Sequence, residues 1–154
     1  MTCSPDQRAA IEGVRTAKAR YFRGVDTSDG DLVRSILAED CVLDYRGCCT
    51  DPASGIDHLP AMNLVVRGRA SWSDGGLRAA GIVSQHQGFM PDISVTGDAS
   101  ATALWGMTDR LWMPAAAPFR CLTGFGWYHE TYTLEDGAWR IKTLRLERIR
   151  VEVE

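Results

Sequence analysis

The stretch IVSQHQGFMPDISVTGDASATALWGMTDRLWM, residues 82–113, contains two long runs with strand character, separated by the turn TGD at 96–98. β-Branched and aromatic residues are typical of strands, and a short turn rich in Gly and Asp between two such runs is typical of a hairpin. The same pattern follows downstream, where FRCLTGFGWYHETYTL and AWRIKTLRLERIRVEV flank the turn EDG at 135–137. The second half of the chain therefore predicts a meander of long antiparallel strands.

Upstream of the meander, SPDQ at residues 4–7 predicts the start of a helix. Ser4 can cap this helix, Pro5 suits the first helical position, and Gln7 completes a capping box. Apolar residues then recur at steps of three and four, which is the period of one helix face. They are Ile11, Val14, Ala17, Tyr21, Phe22 and Val25. Because this stripe stops at DTSDGD, the helix should end near Asp26 or Thr27.

The segment between this helix and the meander predicts shorter elements. Ser28 or Asp29 can cap a second helix. Its inward residues would be Leu32, Val33, Ile36 and Leu37. CVLDYRG at 41–47 predicts a strand, 57–68 a short helix, and the glycine-rich 71–81 a mobile loop. Helices followed by long strands predict an α+β domain, in which the helices pack on one face of a strongly bent sheet.

The composition limits the classes of function. At 154 residues the chain is long enough for one ordinary domain, so a single domain over 1–154 is expected. Seventeen basic against 20 acidic residues give a net charge of -3, and the only basic run lies in the mixed tail RLERIRVEVE. Nucleic acid and anionic membrane are therefore poor candidates as partners.

Cysteine usage and the N-terminus both favour the cytoplasm. The chain has 5 cysteines, an odd number without CxxC or paired metal spacing, so reduced thiols are expected. They are Cys3, Cys41, Cys48, Cys49 and Cys121. MTCSPDQ lacks the architecture of a secretory signal, and no apolar run approaches the ~20 residues needed to span a bilayer.

Two residues break the surrounding patterns. Asp26 extends the apolar stripe at the C-terminal end of the first helix, where the helix dipole and partial burial both disfavour a carboxylate without a compensating partner. An Asx-type turn to the backbone of Ser28 is one explanation, and a functional partner is the other. His86 lies in a strand in which neither face is clearly apolar, so it can be a structural residue or a catalytic base.

Three stretches together resemble the SnoaL-like branch of the nuclear-transport-factor-2-like superfamily. They are AIEGVRTAKARYFRGVDTSDGDLVRSILAEDCVLDYRG, SQHQGFMPDISVTGDASATALWGM and GFGWYHETYTLEDGAWRI. Within that superfamily the chain is most similar to the scytalone dehydratases and, more loosely, to the hexachlorocyclohexane dehydrochlorinases. The resemblance implies a cone-shaped, cystatin-like α+β fold, with N-terminal helices packed on a strongly bent, mixed and mostly antiparallel sheet.

The resemblance also implies roles for three residues. His86 falls on the histidine that acts as base, Asp26 on the aspartate that orients it, and Tyr45 on a tyrosine that activates the substrate carbonyl. A carboxylate bonded to one imidazole nitrogen fixes the tautomer, and a phenol can donate to a developing oxyanion. The chain departs from the dehydratases at Val25, where they have a second tyrosine, and at 105–110, where it lacks their second histidine.

Strand alternation suggests which side chains line a substrate cavity. Trp105, Met107 and Asp109 share one face of their strand, and Phe125, Trp127 and His129 share one face of the next, opposite Tyr128 and Tyr132. The predicted substrate-binding residues are Tyr21, Met62, Trp105, Met107, Phe125, Trp127 and His129. Together they favour an apolar pocket for a flat or cyclic molecule, although packing in the core is the better explanation for any single one of them. His129 is also an alternative base.

These residues predict a cofactor-free lyase of the dehydratase type that acts on a small hydrophobic cyclic substrate. The alternatives are proton transfer like that of ketosteroid isomerases or polyketide cyclases, or a non-catalytic module for ligand binding or assembly. No cofactor or metal is expected, because His58, His86 and His129 are scattered along the chain. Members of this fold commonly pair through the outer sheet face, so the resemblance implies a homodimer or homotrimer.

Overall fold

The N-terminal helix begins and ends where its capping residues predict. In the computed structural model, which describes residues 3–154, α1 spans Pro5–Thr27. The Ser4 side chain accepts a hydrogen bond from the Gln7 N–H, and the Gln7 side chain accepts one from the Ser4 N–H. Ser28 follows the helix in the left-handed conformation, with a φ of 54°. The predicted capping box and the helix end are therefore both confirmed.

The second helix is confirmed but is shorter than predicted. α2 spans Gly30–Ser35, and the Asp29 side chain caps it by accepting from the Leu32 N–H. The predicted inward residue Leu37 instead begins the first strand, β1, at Leu37–Asp44. The helix ends early because the chain begins to pair with the sheet at this point: the Ile36 carbonyl accepts from the Ile141 N–H, and Leu37 pairs with Ile141.

The segment between β1 and the meander differs from its prediction. Instead of a helix over 57–68, it contains a single 3-10 turn at Pro60–Met62 and a strand, β2, at Val65–Arg67. β2 is a strand because its β-branched valines fit the free edge of β1, where Val66 pairs with Leu43. The predicted loop over 71–81 includes a one-turn helix, α3, at Gly76–Ala79.

The meander predicted from the second half is confirmed. Its strands are β3 at Val83–Gly97, β4 at Ser100–Trp112, β5 at Cys121–Glu135 and β6 at Ala138–Val153. The six strands form one sheet in the order β2-β1-β6-β5-β4-β3, in which β1 runs parallel to β6 and the other neighbours are antiparallel. The fold is thus α+β with a mixed, mostly antiparallel sheet.

The core lies between the helices and one face of the sheet. α1 supplies Val14, Ala17 and Tyr21, each at most 2% exposed, and the inner face of the sheet supplies residues such as Leu144. The opposite face leaves several large apolar side chains exposed, namely Val83, Phe89, Trp112, Trp127 and Ile149. Within residues 3–154, none of the helices combines the length and the apolar composition that crossing a membrane requires.

Candidate active site

A cavity of about 610 Å³ lies between the inner face of the sheet and the segments that follow β1 and β2. Much of its wall is apolar, with contributions from Val25, Met62, Trp72, Leu77, Leu111 and Leu146. Polar and ionisable side chains also reach it, among them Tyr21, Tyr45, His86, Asp109 and Arg148. An apolar cavity with a few convergent polar groups is the usual form of a small-molecule site.

His86 and Asp26 form a close pair at the edge of this cavity. The His86 Nδ1 is 2.6 Å from the Asp26 Oδ1, and the other carboxylate oxygen accepts from the His86 backbone N–H at 2.9 Å. The Ser84 hydroxyl donates to the same carboxylate at 2.8 Å. Asp26 therefore fixes both the ring and the strand that carries it. With Nδ1 engaged, the Nε2 nitrogen is the one left for chemistry.

The Nε2 nitrogen of His86 faces a second, deeper carboxylate. It is 3.7 Å from the Asp109 Oδ2, across the β3–β4 pair in which His86 lies opposite Asp109. Asp109 is bound on both oxygens by Arg148, at 2.9 and 2.8 Å. Although burial lowers the pKa of Arg148, the Asp109 carboxylate outweighs this effect and raises it, so the guanidinium keeps its charge. Its side chains are 3% and 5% exposed.

A glycine makes room for this ion pair. A Cβ atom on Gly124 of β5 would lie 2.3 Å from an Arg148 nitrogen and 2.4 Å from the Asp109 Oδ1. Gly124 pairs with Asp109 on one side and with Val151 on the other, so the two charged side chains meet across its bare backbone. The glycines of TGFGWY thus allow a buried, bidentate pair at this point of the sheet.

Two phenols form the polar part of the cavity wall nearest α1. The Tyr21 and Tyr45 hydroxyl oxygens are 2.6 Å apart. Burial raises the pKa of Tyr21 and of Tyr45 well above the usual range, so both keep their protons. One proton is used in the bond between them. The other hydroxyl proton can then be donated to a ligand in the cavity.

A second buried charged cluster lies on the same face of the sheet, beneath α1. Lys18 pairs with Glu130, and the Tyr132 hydroxyl donates to the other oxygen of that carboxylate. The Lys18 Nζ also lies over the Tyr128 ring, 3.5 Å from its centroid. Burial lowers the pKa of Lys18 to about 8, against the attraction of Glu130. Neither Lys18 nor Glu130 lines the cavity described above.

The structure brings some of the predicted site residues together and places others elsewhere. His86, Tyr45, Tyr21 and Met62 line the cavity, and Asp26 binds His86 directly. Trp105 and Met107 are buried on the inner face, with exposures of 6% and 3%, but they do not line the cavity wall. Met107 lies behind the wall, where its Sδ accepts a hydrogen bond at 3.2 Å from Arg148, which does line the cavity.

The prediction took the wrong face of β5. Phe125, Trp127 and His129 point to the outer face, where Trp127 is 40% exposed and His129 bonds to Glu147. They therefore do not line the cavity, and His129 is not placed to act as its base. The inner face carries the alternate residues, of which Tyr128 lines the cavity. Aromatic residues occupy both faces of this strand, so alternation alone could not decide between them.

Two polar residues of the site were missed by the sequence prediction as functional candidates. Asp109 was noted only as sharing a face with Trp105, and Arg148 was read as part of a mixed charged tail. Asp109 is a charge on an otherwise apolar inner strand face, which is the signal that could have identified it. Arg148 offered no such signal, because charged residues surround it on both sides in sequence.

The side chains of the cavity indicate which chemistry this site can support. Across residues 3–154, no group of three or more His, Cys, Asp or Glu side chains is placed to hold a metal ion. The polar groups of the cavity include one imidazole bonded through Nδ1, one bidentate ion pair and two protonated phenols. Such a set can accept a proton, donate hydrogen bonds and stabilise charge.

The sequence matches a known domain family, and the fold resembles several solved structures. Residues 6–145 match the SnoaL-like domain family. One similar solved structure is the D26N variant of Rv3472, a protein of unknown function from Mycobacterium tuberculosis, with 24% identity, a TM-score of 0.69 and coverage of 94% of this chain and 79% of that one. Another, assigned as a scytalone dehydratase from Novosphingobium aromaticivorans, has 15% identity, a TM-score of 0.74 and coverage of 97% and 90%. A third is the hexachlorocyclohexane dehydrochlorinase LinA-type3 from Novosphingobium barchaimii, with 13% identity, a TM-score of 0.72 and coverage of 97% and 92%.

Proposed function

The chain belongs to the SnoaL-like domain family, and we propose that it is a cofactor-free lyase that eliminates water from a small hydrophobic cyclic substrate. The observation that carries the proposal is the His86 ring on the cavity wall, held by Asp26 through Nδ1 while Nε2 lies 3.7 Å from the Asp109 carboxylate. The names of two similar structures, a dehydratase and a dehydrochlorinase, denote elimination reactions and support a lyase-type reaction.

In this proposal His86 is the base. Its Nε2 removes a proton from the carbon next to a carbonyl group, and the imidazolium that forms is stabilised by Asp26. Asp109 lies within 3.7 Å of the protonated nitrogen and adds to this stabilisation, while Arg148 holds it in place. The imidazolium then returns the proton to the departing hydroxyl group. Water leaves, and a carbon–carbon double bond forms next to the carbonyl.

The phenol pair stabilises the other end of the reaction. Removal of the proton moves negative charge onto the carbonyl oxygen of the substrate, and a buried hydroxyl donor lowers the energy of that oxyanion. One of the Tyr21 and Tyr45 hydroxyls donates to the other, and the proton of the second hydroxyl can be donated to the substrate. Because both phenols stay protonated at neutral pH, they act as donors and not as bases.

The cavity wall indicates the class of substrate. Its apolar residues, such as Trp72, Leu111 and Leu146, offer contact area but few polar partners. A volume of about 610 Å³ accommodates a molecule of one or two rings. A cyclic β-hydroxyketone combines these features, since it presents a hydrophobic body, a carbonyl oxygen and a leaving hydroxyl.

The test is turnover of a panel of cyclic β-hydroxyketones, followed by the ultraviolet absorbance of the enone product. His86→Ala should lower kcat by about 10²–10⁴-fold while the substrate still binds. His129→Ala is the matched control, because that histidine lies on the outer face, and it should retain normal turnover. Equal loss in the two variants, or full activity of His86→Ala, would contradict the proposal.

A further inference from the structure

Two cysteine thiols lie side by side in the cavity wall and have no part in the elimination. Cys48 and Cys49 follow β1 in consecutive positions, and their Sγ atoms are 3.7 Å apart. Both line the cavity, together with His86 and the phenol pair. The other three cysteines, Cys3, Cys41 and Cys121, lie outside this wall.

The turn that carries Cys48 also carries Tyr45. The Cys48 N–H donates to the Tyr45 carbonyl at 3.0 Å, so one turn holds the thiol and the phenol on the same wall. Arg148 fixes this turn from the sheet side, because its Nε donates to the Cys48 carbonyl at 2.6 Å. The turn that carries Cys48 is therefore bonded to a buried cation and presents the thiol on the same cavity wall as the Tyr45 phenol.

The surroundings of Cys48 favour its thiolate. A hydrogen bond from the Cys49 thiol lowers the pKa of Cys48, and the Arg148 charge acts in the same direction against the effect of burial. The same bond and burial raise the pKa of Cys49. The Cys48 thiol also donates to the Met62 carbonyl at 3.6 Å, so the Cys49 thiol is the one left to donate to the Cys48 sulfur.

We propose that Cys48 is a covalent modification site for α,β-unsaturated ketones held in the cavity. The choice of ligand rests on the proposed function, because elimination of water from a β-hydroxyketone yields an enone. The product would then meet the Cys48 thiol in the same cavity. Enone that leaves the cavity slowly would modify the enzyme that formed it.

The chemical step is a conjugate addition without change in total oxidation state. The Cys48 sulfur forms a bond to the β-carbon of the enone, and the carbon–carbon π bond breaks. Its electron pair moves toward the carbonyl oxygen, which the Tyr45 hydroxyl stabilises as an enolate. The proton lost by the thiol is replaced at the α-carbon by one from solvent, which leaves a saturated ketone joined to Cys48 as a thioether.

The first test is incubation of the folded protein with cyclohexenone, followed by peptide mapping with mass spectrometry. Cys3 is the internal reference, because it is a partly exposed thiol that does not line the cavity. The adduct should form on Cys48 about tenfold faster than on Cys3 or more. Faster modification of Cys3, with Cys48 unmodified, would overturn the proposal.

Variants then separate a built site from a merely reactive thiol. Cys49→Ala should slow the addition to Cys48 several-fold, whereas Cys49→Ser keeps a hydroxyl donor and should restore most of the rate. Tyr45→Phe should slow the addition of cyclohexenone but not alkylation by iodoacetamide, which needs no stabilised enolate. An addition rate unaffected by both Cys49→Ala and Tyr45→Phe would also overturn the proposal.

His86→Ala keeps the two proposals apart. This variant should lose turnover of the β-hydroxyketone and still form the Cys48 adduct with added cyclohexenone, because addition does not need the base. Turnover by the native protein without an adduct would refute the modification site alone. An adduct on Cys48 without turnover of any panel compound would refute the lyase function alone and would support the modification site.

Discussion

The two buried ion pairs of this protein lie on the same face of the sheet but differ in what else can reach them. Lys18 and Glu130 are 1% and 0% exposed, and Tyr132 donates to the remaining carboxylate oxygen. Arg148 and Asp109 are almost as buried, at 3% and 5%, yet they line a cavity and lie within 3.7 Å of the His86 Nε2. The first pair is closed, and the second is open on one side.

This difference shows that burial of a charge does not by itself mark a functional site. In the closed pair both Glu130 carboxylate oxygens are bonded, and the Lys18 Nζ lies against Glu130 and the Tyr128 ring, so the cluster stabilises the packing of α1 on the sheet. In the open pair the neighbouring imidazole nitrogen lies 3.7 Å from the Asp109 oxygen, beyond hydrogen-bond distance, and both residues line the cavity. Spare bonding capacity beside a cavity is the feature that allows chemistry.

The largest effect is expected from breaking the closed pair. Lys18→Met leaves the Glu130 carboxylate buried without its cation, which should lower the free energy of unfolding by about 3–5 kcal/mol. Turnover per folded molecule should change less than in a variant of the open pair, because neither Lys18 nor Glu130 lines the cavity. Urea unfolding and active-site-normalised kinetics measure the two quantities. A stable but inactive Lys18→Met protein would reverse the roles assigned to the two pairs.

Breaking the open pair should lower turnover more, and stability less, than breaking the closed pair. Arg148→Met leaves Asp109 unpaired on a wall that water can reach, so the loss of stability should be smaller, about 1–3 kcal/mol. Turnover should fall more than in Lys18→Met, since Asp109 is then free to turn away from the His86 Nε2. The same two measurements apply, and a larger stability loss than that of Lys18→Met would contradict this ranking.

The pH dependence of stability should distinguish the two regions through their phenols. Burial raises the pKa of Tyr132 in the folded state, so above about pH 10 the folded protein binds more protons than the unfolded chain, and stability falls as the pH rises. Tyr132→Phe removes this contribution, so its stability deficit should shrink by about 1.4 kcal/mol per pH unit above pH 10. Urea unfolding at a series of pH values measures the deficit.

Tyr45→Phe is the matched variant on the cavity side. The pKa of Tyr45 is also raised by burial, so the deficit should shrink in the same direction, but over a narrower range of pH because the cavity admits water. A wider range for Tyr45 than for Tyr132 would mean that the cavity is the more closed of the two regions.

The smallest effect is expected on the outer face of the sheet. Trp127→Ala should leave the affinity for a cavity ligand within about twofold of the native value, because that side chain is 40% exposed on the opposite face. Trp72→Ala, which removes a ring from the cavity wall, is the comparison and should weaken binding clearly. Isothermal calorimetry with cyclohexanone derivatives measures both. Equal losses would place the ligand outside the cavity described.

Local signals were enough to predict much of the fold and the centre of the site. The capping box at Ser4, the apolar stripe of α1 and the turns between the long strands are all contained in a few consecutive residues. Asp26 was found because a carboxylate at the end of an apolar stripe needs a partner, and His86 is that partner. The resemblance to a family supplied the pairing of the two.

The features that were missed depend on residues far apart in sequence. Lys18 and Glu130 are 112 residues apart, so a lysine on the inner side of α1 gives no local sign of its partner. Arg148 and Asp109 are 39 residues apart and meet only because Gly124 leaves space between them. The three-residue strand β2 is too short to show a period, and it forms only because the edge of β1 is available.

The carboxylate of Asp26 has a consequence beyond orienting a base. β3 is the last strand of the sheet, and an exposed strand edge is a template on which other chains can pair and aggregate. Asp26 occupies that edge by accepting from the backbone N–H of His86, so the free edge is blocked at the residue that we propose as the base. A substitution that disables this aspartate would therefore also expose the protein to association through its sheet, and selection for solubility and selection for activity would preserve the same side chain.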